Sequence, residues 1–250
     1  YETFLTLTGG SSGAPKVILR EQVSWISSFE KNAHIFEYGP NDAIGVLGQL
    51  SHSLALFGVL EALHLGMNAH VLSDITTSEQ RSEIARAGLS VLYLTPTQLR
   101  IVARDRAASA LLSVRLILCG GGALDQDTRR RGQELCPNAT ILVFYGAAET
   151  SFITLADADT PHGSVGKAYP GVTISILDQN GEQAQGTGEV WVRSPYLFTR
   201  YAHGQSMLTR WRDNAMTVGE LGRLDARGNL WLEGRSSRVV TIADQAVNPE

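Results

Sequence analysis

The loop Thr8–Lys16 contains the residues of this chain best suited to binding a polyphosphate. Its glycines, serines and lysine are Gly9, Gly10, Ser11, Ser12, Gly13 and Lys16. The glycines let successive backbone amides turn toward one point, the serines add hydroxyl donors, and the lysine adds a cation. The loop is not a Walker A motif, because Pro15 separates the last glycine from the lysine. The alternative is a flexible Gly/Ser turn, and the loop alone does not decide between the two.

A second group of candidate residues lies in the segment Tyr145–Thr150. The ring of Tyr145 offers a face that can stack on a purine, and Gly146 permits a turn. Glu149 can hold Mg²⁺, which prefers oxygen ligands together with substrate phosphates. The alternative is an ordinary loop that carries one surface glutamate.

Three further positions suit a nucleotide. The segment Gly120–Ala123, which includes Gly121 and Gly122, can let a flat ligand lie against bare backbone. The carboxylate of Glu220 can accept hydrogen bonds from two sugar hydroxyls, and Arg235 offers a forked donor that can reach a ribose or a phosphate.

The elements that must position these residues alternate short apolar strands with helices. Strands are predicted at 3–7, 43–47, 69–72, 90–94, 116–119 and 140–144, and helices at 21–38, 53–65, 77–87, from 96, and at 125–135. Thr77 or Ser78 is the predicted N-cap of the third helix, and Pro96 lies near the first position of the fourth. This alternation predicts an α/β fold with a mostly parallel sheet flanked by helices. Ligands of such sheets bind at the carboxyl ends of the strands, where His52, Gly121 and Tyr145 fall.

Beyond about Gly163 the pattern changes to β-favouring runs at 172–177, 188–193 and 222–232. Turn-forming residues at 178–181 and 225–229 separate them, which predicts a smaller antiparallel β-module.

The bulk composition excludes several classes of function. A net charge of −4 gives no footprint for nucleic acid, and no apolar run reaches the ~18 residues that a membrane span needs. Two cysteines without metal-ligand spacing suit a reducing compartment, so we expect a cytoplasmic protein. The first residue is Tyr1 and the last is Glu250, and we expect this chain to be a piece of a longer protein.

In order and content these motifs resemble those of the adenylate-forming family, which includes acyl-CoA synthetases, peptide-synthetase adenylation domains and luciferases. Thr8–Lys16 looks like the family's Thr-Ser-Gly-Thr-Thr-Gly-x-Pro-Lys loop. Tyr145–Glu149 is similar to the family's Tyr-Gly-x-Thr-Glu motif. Gly163–Gly171 resembles the segment that leads into the family's β-module. Val218–Glu220 occupies the position of the family's Thr-Gly-Asp motif. Gly234-Arg235 resembles the Gly-Arg pair at which the family's hinge begins. The resemblance covers nearly the whole chain and is closest to acyl-CoA synthetases.

The resemblance implies an ATP- and Mg²⁺-dependent ligase that converts a small carboxylic acid to an acyl-adenylate, releases pyrophosphate, and passes the acyl group to a thiol. That thiol would be coenzyme A, with fatty acid metabolism as one setting, or a carrier protein in the alternative of a peptide-synthetase domain. Lys16, His52 and Glu149 are the implied catalytic residues, with Glu149 on the metal. The implied nucleotide-binding residues are Thr8, Gly10, Ser11, Ser12, Gly13, Lys16, Gly121, Gly122, Ala123, Tyr145, Gly146, Ala148, Glu220 and Arg235.

The resemblance also implies a division into units. Residues 1–165 would form the α/β nucleotide- and acyl-binding subdomain, 166–235 the antiparallel β-module, and 236–250 the hinge and the start of a C-terminal domain. The family's N-terminal subdomain and its C-terminal lysine have no counterpart in this chain, so we expect the fragment alone to be poorly active.

Several departures from the family pattern support an alternative, a degenerate module that holds ATP or an adenylate without turnover. Ala148 replaces the threonine whose hydroxyl would bond the α-phosphate, and Gly9 replaces a hydroxyl residue of the loop. Glu220 replaces an aspartate.

His52 occupies a position where many family members have a histidine that lines the acyl pocket. A helix-capping or core histidine is an equal interpretation of this residue.

Overall fold

The computed structural model describes residues 2–8, 16–105 and 109–235, and the backbone of two short strands beyond them. Its helices are Gln22–Phe36 (α1), Ser53–His64 (α2), Thr77–Arg86 (α3), Pro96–Val102 (α4) and Gln126–Leu135 (α5). Its strands are Thr3–Leu7 (β1), Val17–Glu21 (β2), Ala43–Val46 (β3), Asn68–Val71 (β4), Val91–Leu94 (β5), Leu116–Gly120 (β6), Thr140–Ala147 (β7), Ser151–Ala156 (β8), Ser164–Ala168 (β9), Thr173–Leu177 (β10), Gly188–Arg193 (β11), Arg200–His203 (β12), Arg210–Arg212 (β13), Ala215–Thr217 (β14), Glu220–Leu224 (β15), Asn229–Arg235 (β16), Val240–Ile242 (β17) and Gln245–Val247 (β18).

The predicted parallel sheet is confirmed. Strands β4, β3, β5, β6 and β7 lie side by side in that order, and all four pairings are parallel. Successive residues of a strand face opposite sides, so Val91 and Tyr93 of β5 pack in one apolar cluster and Leu92 and Leu94 in another. Helices α1 and α2 cover the first side, and α3, α4 and α5 cover the second.

The sheet reverses direction after β7 and continues as antiparallel strands. Strands β10, β11, β15 and β16 fall in the predicted β-favouring runs, whereas β8, β9, β13 and β14 were not predicted. β8 pairs antiparallel with β7, β9 with β8, and β16 with β9, and β15 and β11 follow. Strands β10 and β14 flank β11, and β13 pairs with β14. The sheet is hydrogen-bonded without a break across residue 165, and the division into three units stays a proposal.

A separate three-stranded sheet holds the ends of the glycine-rich loop. β1 and β2 form an antiparallel hairpin in which Leu7 faces Val17, and β12 adds to the far edge of β2. The prediction that a helix begins at Glu21 missed β2, which occupies Val17–Glu21 before α1 starts at Gln22. The strand forms because β1 and β12 supply partners on both of its edges.

The helix starts follow their capping residues. Pro96 takes the first turn of α4 as predicted, and Thr95 caps that helix. The predicted N-cap of α3 was wrong, because Thr76 rather than Thr77 or Ser78 takes that place. Its Oγ1 accepts from the Glu79 amide, and Glu79 accepts from the Thr76 amide at 2.8 Å, a reciprocal capping box that a later start would lose. No helix among the described residues is long and apolar enough to span a membrane.

Candidate active site

A cavity of about 1420 Å³ opens at the carboxyl ends of the parallel strands. Gly48 after β3, Thr95 after β5, Gly121 after β6 and Tyr145 near the end of β7 all line it. The candidate residues that the structure describes line this one cavity, namely Thr8, Lys16, His52, Gly121, Gly122, Ala123, Tyr145, Gly146, Ala148, Glu149, Glu220 and Arg235. The sheet edge therefore brings together residues that lie up to 227 positions apart (Thr8 to Arg235) in the sequence. Their roles in binding stay predictions.

The two ends of the glycine-rich loop are fixed to each other. The Thr8 amide donates to the Lys16 carbonyl oxygen at 2.9 Å, and the Lys16 amide donates to Thr8 Oγ1 at 3.3 Å. These bonds continue the hairpin of β1 and β2 by one residue on each strand, and they place Lys16 on the cavity wall. The predicted anion-binding residues Gly10, Ser11, Ser12 and Gly13 lie outside the described residues.

Glu149 lies on the cavity wall with one carboxylate oxygen already engaged. Tyr201 of β12 donates its hydroxyl to Glu149 Oε1 at 2.8 Å, and the same hydroxyl lies 2.8 Å from Thr209 Oγ1. Burial and the charge of Glu149 raise the pKa of Tyr201, so this phenol stays protonated and keeps donating. In the described part of the chain, no cluster of three or more His, Cys, Asp or Glu side chains could hold a metal ion.

A fully buried arginine lies beside this carboxylate. Arg20 of β2 donates to the carbonyl oxygens of Ala148 at 2.6 Å and Tyr196 at 2.8 Å, and to Ser24 Oγ at 3.2 Å. Burial lowers the pKa of Arg20 to about 9, and the negative charge of Glu149 opposes that shift. Arg20 therefore remains a cation at neutral pH.

The turn between β7 and β8 settles what Thr150 can do. Its hydroxyl accepts from the Ala147 amide at 2.8 Å, and its side chain is 1% exposed. This hydroxyl therefore cannot replace the hydroxyl missing at Ala148, and Ala148 itself lines the cavity.

Strand β7 also extends beyond the predicted end at 144, because Gly146 and Ala147 pair with Phe152 and Ser151, so Gly146 lies in the strand and not in the turn.

The glycines after β6 let two chain segments approach closely. A Cβ at Gly120 would overlap the ring of Phe144 on the neighbouring strand, and Gly121 has a φ of 84°, which favours glycine. The segment 121–123 is exposed and lines the cavity, so its backbone is open to a flat ligand.

Tyr145, Glu220 and Arg235 form a group on the opposite wall. Arg235 Nε donates to Glu220 Oε1 at 2.9 Å, and the two residues are paired across β15 and β16. Burial raises the pKa of Tyr145, with a smaller contribution from the charge of Glu220. The Tyr145 hydroxyl is buried and has no hydrogen-bond partner among the described residues.

His52 directly precedes α2 and lines the cavity as an exposed side chain. It occupies the N-cap position, but its side chain makes no capping bond, and its Nδ1 lies 3.4 Å from Ser51 Oγ. The side chain of His52 is therefore neither a helix cap nor a core residue, and it lies in the cavity wall.

Comparison with known proteins identifies the family. The family model described as "AMP-binding enzyme" matches residues 3–202 of the chain. The chain belongs to the AMP-binding enzyme family. One relative, named "Uncharacterized acyl--CoA ligase YhfT" of Bacillus subtilis, is 28% identical over 99% of this chain and 51% of its own length. Indoleacetate--CoA ligase of Aromatoleum aromaticum is 26% identical over 97% of this chain and 49% of its own length.

Solved structures share the fold. O-succinylbenzoate coenzyme A synthetase of Bacillus subtilis, in complex with ATP and magnesium, matches with a TM-score of 0.85 at 22% identity. That match covers 98% of this chain and 52% of the solved chain. This AMP-binding enzyme chain therefore spans about half the length of the relatives and structures that it matches.

Sequence reasoning missed Arg20 and Tyr201, the two residues that contact the Ala148–Glu149 segment from β2 and β12. Little in the sequence marked Arg20, which follows the apolar run 17–19 and directly precedes another charged residue, Glu21. Tyr201 offered no local signal. The sheet of β1, β2 and β12 brings both residues to the site.

Proposed function

We propose that this chain is the nucleotide- and acyl-binding part of an ATP-dependent acid–thiol ligase. The substrate carboxylate would attack the α-phosphorus of ATP, the bond to the leaving pyrophosphate would break, and an acyl-adenylate would form. A thiol would then attack the acyl carbon and release AMP. The observation that carries this proposal is the single cavity in which Lys16, Glu149, Tyr145 and the Glu220–Arg235 pair meet.

Lys16 and Glu149 would act on the phosphates. Attack of one anion on another requires the charge on the phosphates to be offset, and Lys16 supplies a cation at the mouth of the loop. Glu149 fits a Mg²⁺ ion, because Mg²⁺ in nucleotide sites is bound by one or two carboxylates together with substrate phosphates and water. With Oε1 accepting from Tyr201, Oε2 of Glu149 is the oxygen that would reach the ion. The metal would neutralise phosphate charge when bound.

The other wall would hold the nucleoside. The ring of Tyr145 and the bare backbone of Gly121–Ala123 line the cavity and would enclose the adenine. Because Arg235 occupies Glu220 Oε1, the other carboxylate oxygen of Glu220 would accept from the ribose hydroxyls. Ala148 and the engaged Thr150 hydroxyl leave no side-chain hydroxyl at that turn for the α-phosphate, so the backbone there would contact it.

Coenzyme A is the proposed thiol. The support is that the relatives named above are called CoA ligases. A carrier-protein thiol is the alternative acceptor. A module that binds ATP without turnover is the second candidate function, and the observation that favours it is the missing hydroxyl at Ala148.

An ATP–pyrophosphate exchange assay on the full-length protein with a panel of carboxylic acids tests the proposal. We expect exchange that depends on both an acid and Mg²⁺. Lys16→Ala and Glu149→Ala should each lower exchange by at least about tenfold, since each removes a charge that acts on the phosphates. Lys167→Ala and Glu182→Ala are matched controls, because both residues are exposed and neither lines the cavity. Tight ATP binding without exchange for any acid would favour the module without turnover.

A further inference from the structure

One end of the cavity is closed by three aromatic rings, which we call the aromatic floor: Trp25, Phe57 and Phe152. All three line the cavity, yet they are only 3%, 5% and 3% exposed. The ring centroids of Trp25 and Phe57 are 5.2 Å apart and those of Phe57 and Phe152 are 5.3 Å apart, both in edge-to-face contact. Rings in such contact leave no channel between them.

A second layer of rings lies directly behind the aromatic floor and does not line the cavity. Phe29 lies 4.8 Å from Phe57, and Tyr169 stacks on Phe152 at 5.1 Å. Buried hydrogen bonds hold the tyrosines of this layer, since Tyr169 donates to Asn32 Oδ1 and Tyr93 to Glu61 Oε2, both at 2.6 Å. The floor is therefore backed by fixed side chains and cannot recede to admit a longer ligand.

The walls around the aromatic floor carry no charge. The residues that α1, α2 and β8 contribute to the cavity are Trp25, Ser53, Leu54, Ala55, Phe57, Ser151, Phe152 and Ala156. Within the described residues, the charged side chains of the cavity come from other elements, such as Arg235 on β16 and Arg129 on α5. A ligand group at the aromatic floor therefore contacts apolar surface and two serine hydroxyls. If the ligand carried a second carboxylate there, that carboxylate would lose its water without gaining a cationic partner from these elements.

We propose that the acid activated by this enzyme is a compact monocarboxylic acid with an uncharged apolar tail, whose length is limited by the aromatic floor. This inference rests on the proposed function, because it assigns the substrate class of the same site. Long-chain fatty acids are excluded by the closed end. Dicarboxylic acids are excluded because the described elements α1, α2 and β8 contribute no charged side chain to the cavity. The nearby guanidinium of Arg20, 5.5 Å from the centroid of the Trp25 ring, does not line the cavity and donates to backbone carbonyls instead.

The test is pyrophosphate exchange by the full-length protein with phenylacetate, hexanoate, palmitate and glutarate. We expect kcat/KM for phenylacetate or hexanoate to exceed that for palmitate and for glutarate by at least about a hundredfold. Equal or better use of palmitate or glutarate would overturn the inference and leave the proposed function standing. Exchange with none of the acids, in a protein that binds ATP, would overturn the proposed function and this inference with it.

Variants of the aromatic floor sharpen the result. Trp25→Ala should raise the kcat/KM ratio of decanoate to hexanoate by about tenfold or more, because it removes a ring from the closed end. Phe57→Leu makes a smaller opening in the same place and should shift the ratio in the same direction, and it serves if the larger change prevents folding. Trp211→Ala is the matched control, because Trp211 is 47% exposed and does not line the cavity. An unchanged ratio in a folded floor variant would overturn the inference.

A second inference concerns Arg20 and stands on different contacts. Its guanidinium joins the carbonyl of Ala148, directly before Glu149, to the carbonyl of Tyr196, so it fixes the turn that carries Glu149. The guanidinium also stacks over the Trp25 ring, 5.5 Å from its centroid, and its Nε has no hydrogen-bond partner among the described residues. The two terminal nitrogens of the guanidinium reach the two carbonyls separately, Nη1 that of Tyr196 and Nη2 that of Ala148, and the single nitrogen of a lysine does not reproduce this spacing.

We infer that Arg20 is a positioning residue that holds the Glu149 carboxylate in place for Mg²⁺ bound to ATP. Calorimetric titration of the full-length protein with ATP, with Mg²⁺ or with a chelator, tests this without relying on turnover. Arg20→Lys should reduce the Mg²⁺-dependent gain in ATP affinity by about tenfold, while affinity in the chelator stays within about twofold.

Arg86→Lys is the matched control, because Arg86 is 72% exposed on α3 and lies outside the cavity. A Mg²⁺-dependent gain that Arg20→Lys leaves unchanged would overturn the role. An equal loss of affinity with and without Mg²⁺ would also overturn it, since that result indicates general damage to the site.

Discussion

Glu61 of α2 makes the stability of this chain depend on pH in an unusual direction. Its carboxylate is fully buried, with Oε2 accepting from the Tyr93 hydroxyl at 2.6 Å and Oε1 accepting from Asn32 Nδ2 at 2.8 Å. Burial raises the pKa of Glu61 from 4.5 to about 7, and hydrogen bonding to Tyr93, Asn32 and Tyr38 offsets only part of that rise. The groups facing it are Asn32 of α1, Tyr38, Tyr93 of β5 and Tyr169, which follows β9, and all are neutral at physiological pH.

The direction and the size of this pH dependence follow from the difference between the pKa of Glu61 in the folded and in the unfolded chain. In the unfolded chain Glu61 ionises near 4.5, whereas in the folded chain it holds its proton to about 7, so folding takes up a proton between these values. Its contribution to stability is fully present below pH 4.5 and is lost as pH rises through 7. A pKa difference of about 2.5, at ~1.4 kcal/mol per pH unit, is about 3 kcal/mol.

Glu61→Gln removes the titration and keeps one acceptor for Asn32 and a donor toward Tyr93. We expect the free energy of unfolding of the variant, relative to the wild type, to rise by about 3 kcal/mol between pH 4.5 and pH 8. Urea denaturation of both full-length proteins across this range measures it, and all other groups cancel in the difference. Glu182→Gln is the control, because that exposed side chain should give a flat difference. A flat difference for Glu61→Gln, within about 0.5 kcal/mol, would refute the raised pKa.

Three further expectations follow from local geometry. Cys119 and Cys136 are buried free thiols whose pKa burial raises to about 12, so alkylation at pH 8 should be slow in the native protein and fast in denaturant, as measured by mass spectrometry. Gly120→Ala should destabilise by about 1–3 kcal/mol in urea denaturation, because its Cβ would overlap the Phe144 ring, whereas Gly186→Ala, with no atom within 4 Å, should change stability by about 0.5 kcal/mol or less. Thr95→Ala should cost about 1 kcal/mol by the same measurement, since it removes the hydroxyl that accepts from the Gln98 amide at 3.3 Å and caps α4. Equal effects of the two glycine changes, or a neutral Thr95→Ala, would contradict the packing and capping described here.

The parallel core could be predicted because its information is local. Strands β3, β5 and β6 are buried on both faces, so nearly every residue in them is apolar, and each run is bounded by turn or capping residues. Four antiparallel strands were equally accessible, since β10 with β11 and β15 with β16 are joined by turns that the sequence marks with Asp, Asn and Gly. Strands β8, β9, β13 and β14 were missed.

Strand β2 could not be predicted, because its partners are not local. Val17–Glu21 pairs with β1 across a loop and with β12, where Leu19 faces Arg200. A run of five residues that contains an arginine gives no period that separates a strand from the start of a helix. What makes it a strand is the set of partners that the rest of the chain provides.

The same reasoning explains which part of the candidate site the sequence could supply. The loop, the Tyr145–Glu149 segment and the Gly234-Arg235 pair are contiguous motifs, and their place at strand ends follows from the topology of the sheet. The environment of Glu149 is assembled from residues that local patterns do not connect, such as Arg20 and Tyr196, which are 176 positions apart and meet at one guanidinium.

This distinction bears on the two interpretations of function. Burying a charge is costly unless it serves an interaction, so the fully buried cation beside Glu149 favours a site that still binds a ligand. Both interpretations keep such a ligand, and the pyrophosphate exchange assay is what separates them. Arg20 is 0% exposed, carries its charge at neutral pH and donates to the carbonyl oxygen of Ala148, the position that lacks the expected threonine hydroxyl. The buried guanidinium of Arg20 therefore holds the Ala148–Glu149 turn in place, which supports a site in which Glu149 binds a ligand.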